Sequence, residues 1–260
     1  MADDVYEEMA PPPRLTDFVL RLWTYSAEAP SGAVQRIVPD GCCELIVHLG
    51  APYEELGADG TWRRQPEVLF AGQLTRPLVL RPTGPVHVIA ARFRPDGARP
   101  FLGRSLREAT DRRVDLTDEI GEPPRTHAQL ADWLDRQREH EAWSLDPVVR
   151  SALTAQPADL DPAAQRALQR AFLDRVGVSA QILRSIHRFR QVFERAEHLD
   201  GAAGQWLRAG LEAGYFDQPH IARDFRRFLG CTATDWARQQ SELARALSSE
   251  SYKTVGEATV

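Results

Sequence analysis

Strand-like and helix-like segments occupy separate parts of this 260-residue chain instead of alternating along it. Short apolar runs bounded by Pro or Gly dominate up to Gly97, whereas no strand candidate follows Asp146. Alternating strands and helices would favour a parallel sheet, so this segregation favours an α+β fold or two separate domains. Hydrophobic residues make up 43% of the chain, which is enough to build real cores.

The first part of the chain predicts a β-rich domain. A turn at Pro39–Gly41 precedes the apolar strand Leu45–Val47. Further short strands are predicted at 68–70, 77–80 and 86–93. Short strands at this spacing are typical of a barrel or a sandwich. Apolar residues at helical spacing follow between Phe101 and Leu134, so we place a β-rich domain with trailing helices at 1–140.

The rest of the chain predicts an all-α domain at 146–247 and a flexible tail at 248–260. Asp146 followed by Pro147 is typical of a helix start, and Ser179 is a second candidate N-cap. The predicted helices are Val148–Gln156, Pro162–Arg175, a long helix after Ser179, and two further helices joined at Gly214.

The two helices joined at Gly214 predict a helix-turn-helix. The first helix is predicted to pack through Trp206, Leu207 and Leu211, and the second through Ile221, Phe225 and Phe228. The side chains left over on the second helix are Gln218, His220, Arg223, Arg226 and Arg227. We expect the first three to reach base edges and the two later arginines to contact phosphates. The alternative interpretation is a solvated basic helix face.

Charge is distributed unevenly along the chain. Residues 163–246 contain thirteen arginines against nine Asp or Glu residues, although the whole chain has a net charge of -5. A mildly basic C-terminal part suits phosphate contact, and a helical surface with salt bridges would show the same excess.

Three stretches together resemble the AraC/XylS family of bacterial transcription regulators. GYFDQPHIARDFRRFLGCT at 214–232 resembles the family's C-terminal signature. LQRAFLDRVGVSAQILRSIHRF at 168–189 resembles its first recognition helix and linker helix. PDGCCELI at 39–46, Gly72 and RFRPDG at 92–97 resemble its sensor domain. The resemblance implies a cupin-like N-terminal barrel with trailing helices, followed by an all-α double helix-turn-helix domain.

The first helix-turn-helix departs from the family pattern. Only PADLDPAAQ separates Gln156 from Arg166, whereas a scaffold helix and its turn need about 12 residues. Either the helix Val148–Gln156 supplies the scaffold, or this half of the DNA-reading module is degraded. The resemblance still implies base-facing positions for Arg166, Gln169 and Arg170.

No motif indicates an enzyme, a cofactor or a metal. The chain has no GxSxG, no P-loop, no GxGxxG after a strand and no HExxH, so we predict no enzymatic activity and no cofactor. The metal-ligating residue types near the predicted strands are Cys42, Cys43, Glu44, His48 and His87. No spacing among them matches a metal motif, and we predict no metal site.

The resemblance implies double-stranded DNA as the partner. It leaves room for a small-molecule effector and for RNA polymerase, and it leaves the choice between monomer and homodimer open. The acidic N-terminus and the absence of a long apolar run predict a cytoplasmic protein with no membrane partner. The alternative function is a sensor or protein-interaction protein of the same fold, whose shortened first motif impairs operator binding. A cupin enzyme is the third candidate.

Overall fold

The computed structural model describes residues 5–28, 34–154, 160–197 and 203–236. The chain divides into two compact units. The first comprises Met1–Ile37, Gly41–Leu74 and Leu78–Ala180, and the second comprises Val38–Asp40, Thr75–Pro77 and Gln181–Val260. The predicted tail at 248–260, and the last two residues of the predicted helix Val148–Gln156, lie outside the described residues.

The strands all lie in the N-terminal part of the chain, where short apolar runs alternate with turns. They are β1 (Val5–Met9), β2 (Val19–Ala27), β3 (Gln35–Ile37), β4 (Glu44–His48), β5 (Glu54–Leu56), β6 (Trp62–Arg64), β7 (Val68–Ala71), β8 (Leu78–Arg81), β9 (Val86–Phe93) and β10 (Arg113–Asp115). The four strands predicted from sequence correspond to β4, β7, β8 and β9 to within about one residue at each end.

Apart from β10, which follows the first α-helix, all strands precede the α-helices along the chain. The α-helices are α1 (Ala98–Leu102), α2 (Thr117–Ile120), α3 (His127–His140), α4 (Pro147–Thr154), α5 (Pro162–Arg175), α6 (Ala180–Glu197), α7 (Ala203–Glu212) and α8 (Gln218–Phe228). A single-turn 3₁₀ helix also spans Leu106–Glu108. Antiparallel strands followed by helices confirm the α+β class. In the described parts of the chain, no helix is long and apolar enough to cross a lipid bilayer.

The strands form two antiparallel sheets. Six strands are ordered β1-β2-β9-β4-β7-β10, and four are ordered β3-β8-β5-β6. The predicted barrel is therefore not closed among the described strands; the sheets pack as a sandwich. The second sheet contains strands of only three or four residues, which offer few ladder hydrogen bonds for closure.

The two faces of the six-stranded sheet differ because side chains alternate along each strand. Leu45 and Val47 of β4 belong to the main core, which α3 covers with the fully buried Leu130 and Leu134. Ile46 points to the opposite face and packs in a second cluster together with Leu80 of the smaller sheet. The first unit thus has helices on one side of the large sheet and the small sheet on the other.

The helices α4 and α5 pack with the β part. Arg150 on α4 donates from Nε to Oδ2 of the buried Asp96 at 2.6 Å and from Nη2 to the Asp17 carbonyl at 2.8 Å. Beyond α5, the Thr110 hydroxyl donates to the Gly177 carbonyl at 2.7 Å. The sequence predicts a helical domain from 146, and the first compact unit extends to Ala180, so that it includes α4 and α5.

Candidate nucleic-acid interface

The turn between α7 and α8 depends on a left-handed glycine. Gly214 has φ +87°, and a Cβ there would meet no atom within 4 Å, so backbone conformation rather than space favours glycine. Its amide donates to the Leu211 carbonyl at 3.1 Å, and the Tyr215 amide donates to the Gly210 carbonyl at 3.0 Å. These bonds satisfy carbonyls at the end of α7 and turn the chain toward α8.

Two features of the sequence determine where α8 begins. Asp217 is in an extended conformation, and its Oδ1 accepts a hydrogen bond from the His220 amide at 2.8 Å. Pro219 occupies the first turn, where a missing amide hydrogen costs nothing. The helix therefore has a defined start, which fixes the angular positions of the side chains that follow.

The inner face of α8 is held by aromatic packing. Phe225 lies 5.1 Å from the Phe189 ring and 5.2 Å from the Trp206 ring, both edge-on. A Cβ on Gly210 would come within 2.3 Å of Ile221 Cδ1, so α7 and α8 approach closely at this glycine. Ile221, Phe225 and Phe228 are at most 4% exposed, which confirms the predicted apolar stripe of α8. The predicted packing of Leu211 on α7 is wrong, since this side chain is 51% exposed.

A polar cluster fastens α8 to the long helix α6. Tyr215 donates its hydroxyl hydrogen to Oδ2 of the buried Asp224 at 2.8 Å. The Arg188 guanidinium of α6 lies 4.7 Å from the Tyr215 ring centroid. Burial and the hydrogen bond to Asp224 raise the pKa of Tyr215 above its ordinary value of 10, so the hydroxyl keeps its proton at physiological pH.

The outer face of α8 carries the predicted DNA-reading side chains. Gln218, Arg223, Arg226 and Arg227 are all exposed. None of these three arginines forms an ion pair with any residue that the structure describes. Amide and guanidinium groups can bond adenine and guanine edges in pairs, and unpaired arginines suit phosphates. The arrangement is chemically able to bind a duplex in a groove.

His220 is diverted from this face. Its ring lies 4.8 Å from the Tyr215 ring in an edge-on arrangement, and the residue is half-buried. The structure therefore groups Gln218 with the three arginines and places His220 at the rim, where it supports Tyr215.

The residues implied for the first motif share the exposed face of α5. Asp161 caps this helix by accepting from the Ala163 and Ala164 amides, each at 2.8 Å. Arg166, Gln169 and Arg170 are exposed, while Phe172 on the opposite side is buried. The two predicted sets of DNA contacts therefore belong to different compact units.

The two N-terminal stretches that resemble the family's sensor domain, 39–46 and 92–97, meet across the neighbouring strands β4 and β9. Glu44 lies directly opposite Arg92 in the register of β4 and β9. Trp23 Nε1 and Arg92 Nε both donate to Glu44 Oε1, at 3.1 and 2.8 Å. Half-buried aromatic side chains continue the same face, with Tyr6 5.9 Å from Trp23. Sequence reasoning missed this cluster, because only the strand register brings its members together.

Metal-ligating side chains in the N-terminal part do not converge. Across the described residues, no three His, Cys, Asp or Glu side chains are grouped as metal ligands would be. His48 is buried, and burial lowers its pKa to about 4 from the ordinary 6.5. Its ring is therefore neutral at physiological pH.

One exposed residue beside α8 was not predicted. Phe216, between Tyr215 and the N-cap Asp217, is 89% exposed. In the sequence, Phe216 is an apolar residue just before an N-cap. Such a residue ordinarily packs onto the first turn of the helix, so the pattern predicts burial and not exposure.

Part of the chain is similar to a family model, and several solved structures have low similarity to the chain. Residues 7–115 match a family model described as a domain of unknown function, DUF6597. No curated protein matches the chain.

The similar solved structures differ from this chain in most of their sequence. A Cupin_2 domain of an XRE family transcriptional regulator from Enterobacter cloacae is 24% identical, with 34% of this chain and 94% of that chain covered and a TM-score of 0.26. ToxT from Vibrio cholerae bound to an unsaturated fatty acid is 9% identical, with 85% and 95% covered and a TM-score of 0.39. ToxT bound to (E)-4-(8-methylnaphthalen-1-yl)but-3-enoic acid is 8% identical, with 83% and 97% covered and a TM-score of 0.41.

Proposed function

We propose that this chain is a sequence-specific DNA-binding transcription regulator of the AraC type, with no enzymatic activity. The observation that supports it most is the division of α8 into two faces. Phe225 and Phe228 fasten one face, while Gln218, Arg223 and Arg226 stand exposed on the other. A capped helix held rigidly behind a glycine turn, with unpaired arginines outward, suits insertion into a major groove.

The N-terminal unit suits a regulatory role in this proposal. The face of the large sheet that carries Ile46 also carries the cluster of Glu44, Arg92 and Trp23, with Tyr6 beside it. These side chains are half-buried. Charged groups beside aromatic surface suit a small effector with a polar and an apolar part.

The test is an unbiased selection of random-sequence duplexes by the purified full chain, followed by titrations at several salt concentrations. We expect enrichment of a defined site, and an affinity that falls as salt rises because arginines displace counterions from phosphates. Arg208→Ala is a matched control, since Arg208 is an exposed arginine on α7 that pairs with Glu212 at 3.0 Å. If the selection enriches no particular sequence among the bound duplexes, the proposal is contradicted.

One observation favours the alternative of a sensor or interaction protein. The shortened first motif packs with the β part, where Arg99 of α1 lies 3.3 Å from Asp174 of α5 and Thr110 bonds Gly177. If this packing prevents α5 from entering a groove, the chain would bind DNA through α8 alone. Weak, salt-sensitive binding without sequence preference in the same selection would support this alternative.

A further inference from the structure

Phe216 is an aromatic side chain that the fold leaves on the surface. It is 89% exposed, whereas the neighbouring Tyr215 is 4% exposed. A single apolar side chain on a surface is ordinary. The position of Phe216 is not, because it directly precedes the cap of the helix that carries the proposed DNA contacts.

The usual partner of a residue at this position is already occupied. An apolar residue before the N-cap commonly packs against the fourth residue of the helix, which here is Ile221. Ile221 is 4% exposed and lies against Gly210 of α7 instead. Tyr215, bonded to Asp224, fills the interior beside the turn. Among the described residues, Phe216 is therefore left without the packing partner that this position ordinarily has.

The surroundings of Phe216 point to a polyanion with apolar groups. Gln218 and Pro219, which begin α8, are exposed, and Pro219 adds apolar surface without a side-chain donor. Arg223 and Arg226 follow on the same exposed face and have no carboxylate partner among the described residues. In the major groove of DNA, the thymine 5-methyl group is the apolar feature that side chains such as Phe contact.

We propose that Phe216 makes an apolar contact with a thymine 5-methyl group adjacent to the bases that α8 reads, and so contributes to sequence preference. This inference rests on the proposed function. It differs from the roles of Gln218 and Arg223 because it needs no hydrogen bond and reads a methyl group.

The experiment is a mutant cycle between the Phe216 ring and single thymine methyl groups. Duplexes selected by the wild-type full chain are resynthesised with each thymine replaced in turn by deoxyuridine, which lacks only the 5-methyl group. Affinities are measured for the wild type and for Phe216→Ala. Leu211→Ala is the control, since Leu211 is also exposed, at 51%, but lies on α7.

We expect Phe216→Ala to weaken binding to the selected duplex by about fourfold or more, the value for one buried methyl-sized group. One particular deoxyuridine should weaken wild-type binding similarly and leave the affinity of Phe216→Ala unchanged. Leu211→Ala should bind the selected duplex like the wild type.

A selected site without a preferred thymine would overturn the inference while the proposed function stands. Equal effects of every deoxyuridine on the wild type and on Phe216→Ala would do the same. Unchanged DNA affinity of Phe216→Ala would also overturn it and would direct attention to a protein partner. If the wild type enriches no duplex at all, the proposed function itself fails, which the selection step reveals before any variant is tested.

Discussion

Arg223 and Arg227 lie one turn apart on α8, and we expect them to make different kinds of contact. Under the proposed function, Arg223 would meet base edges, and Arg227, one turn further on, would contact phosphates. Arg223→Ala should weaken binding to the selected site by about 1 to 3 kcal/mol and relax preference at one base. Arg227→Ala should weaken binding to all duplexes alike and reduce the salt slope by about one charge.

Gel-shift titrations of selected and random duplexes at several salt concentrations measure both effects. Arg208→Ala controls for the simple loss of an exposed positive charge. Unchanged affinity of Arg223→Ala for the selected site would show that α8 does not bind the major groove with Arg223 against the bases. A loss confined to the selected site in Arg227→Ala would contradict a phosphate role.

His48 is expected to make the stability of the first unit depend on pH. Its pKa is about 4 in the folded chain and near 6.5 when exposed, because burial disfavours the charged ring. Below pH 6.5, His48 binds a proton in the unfolded chain. In the folded chain, it binds a proton only near pH 4. The free energy of unfolding should therefore fall between pH 6.5 and 4, by about 3 kcal/mol at most, and level off below.

Urea unfolding followed by circular dichroism at steps from pH 7 to 4 measures this dependence. His48→Gln should show a flatter profile over that range, while His87→Asn, which removes an exposed histidine from β9, should keep the wild-type profile. Parallel profiles for the wild type and His48→Gln would show that His48 is not responsible.

The residues that sequence reasoning placed well are those governed by local rules. The exposed positions of Gln218 and Arg223 follow from helical spacing beside the apolar stripe. The packing of His220 on Tyr215 depends on how the chain turns at Gly214, and the pairing of Glu44 with Arg92 depends on strand register. Neither of these follows from spacing along the chain, because both are set by tertiary structure.

At the scale of elements, α8 has a start defined by a side-chain cap. Asp217→Ala removes the side chain that accepts from the His220 amide, so the first turn should lose about 1 kcal/mol. Asp217→Asn is the matched control, since asparagine caps about as well. Hydrogen exchange of amides in residues 218–228 measures the local free energy of opening. Equal protection in wild type and Asp217→Ala would contradict the role of this cap.

Element prediction succeeded where Pro or Gly punctuates the pattern. The predicted α5 matches because Asp161 and Pro162 mark its start, and β9 matches because its run of eight residues, Val86–Phe93, lies between Pro85 and Pro95. The strand β2, with nine residues the longest of the described strands, was not predicted, because no Pro or Gly stands directly at either of its ends. The strands β5 and β6 were missed because three residues rich in charge carry no recognisable alternation. They become strands only through pairing with each other and with β8.

At the scale of the whole molecule, the division of the two motifs between compact units predicts unequal reading of DNA. The helix α4 contacts α5 and buries Val149 and Ala152, so it offers α5 a scaffold within the first unit. The same unit holds Gly177 through Thr110. Under the proposed function, full reading by both recognition helices requires them to reach successive groove segments, about 10 bp apart. The segment of nine residues between Gln156 and Arg166 is short for that arrangement.

We therefore expect selected sites with strong base preference over one groove segment and weak preference over the other. Arg170→Ala should cost less specific affinity than Arg223→Ala, because Arg170 stands on α5, whose motif is shortened, and Arg223 stands on the fully formed second motif. Titration of both variants against the selected duplexes, together with footprints of the wild type, measures the difference. Equal losses from both variants, with two preferred elements in the selected DNA, would show that α4 is a sufficient scaffold and that both motifs read DNA.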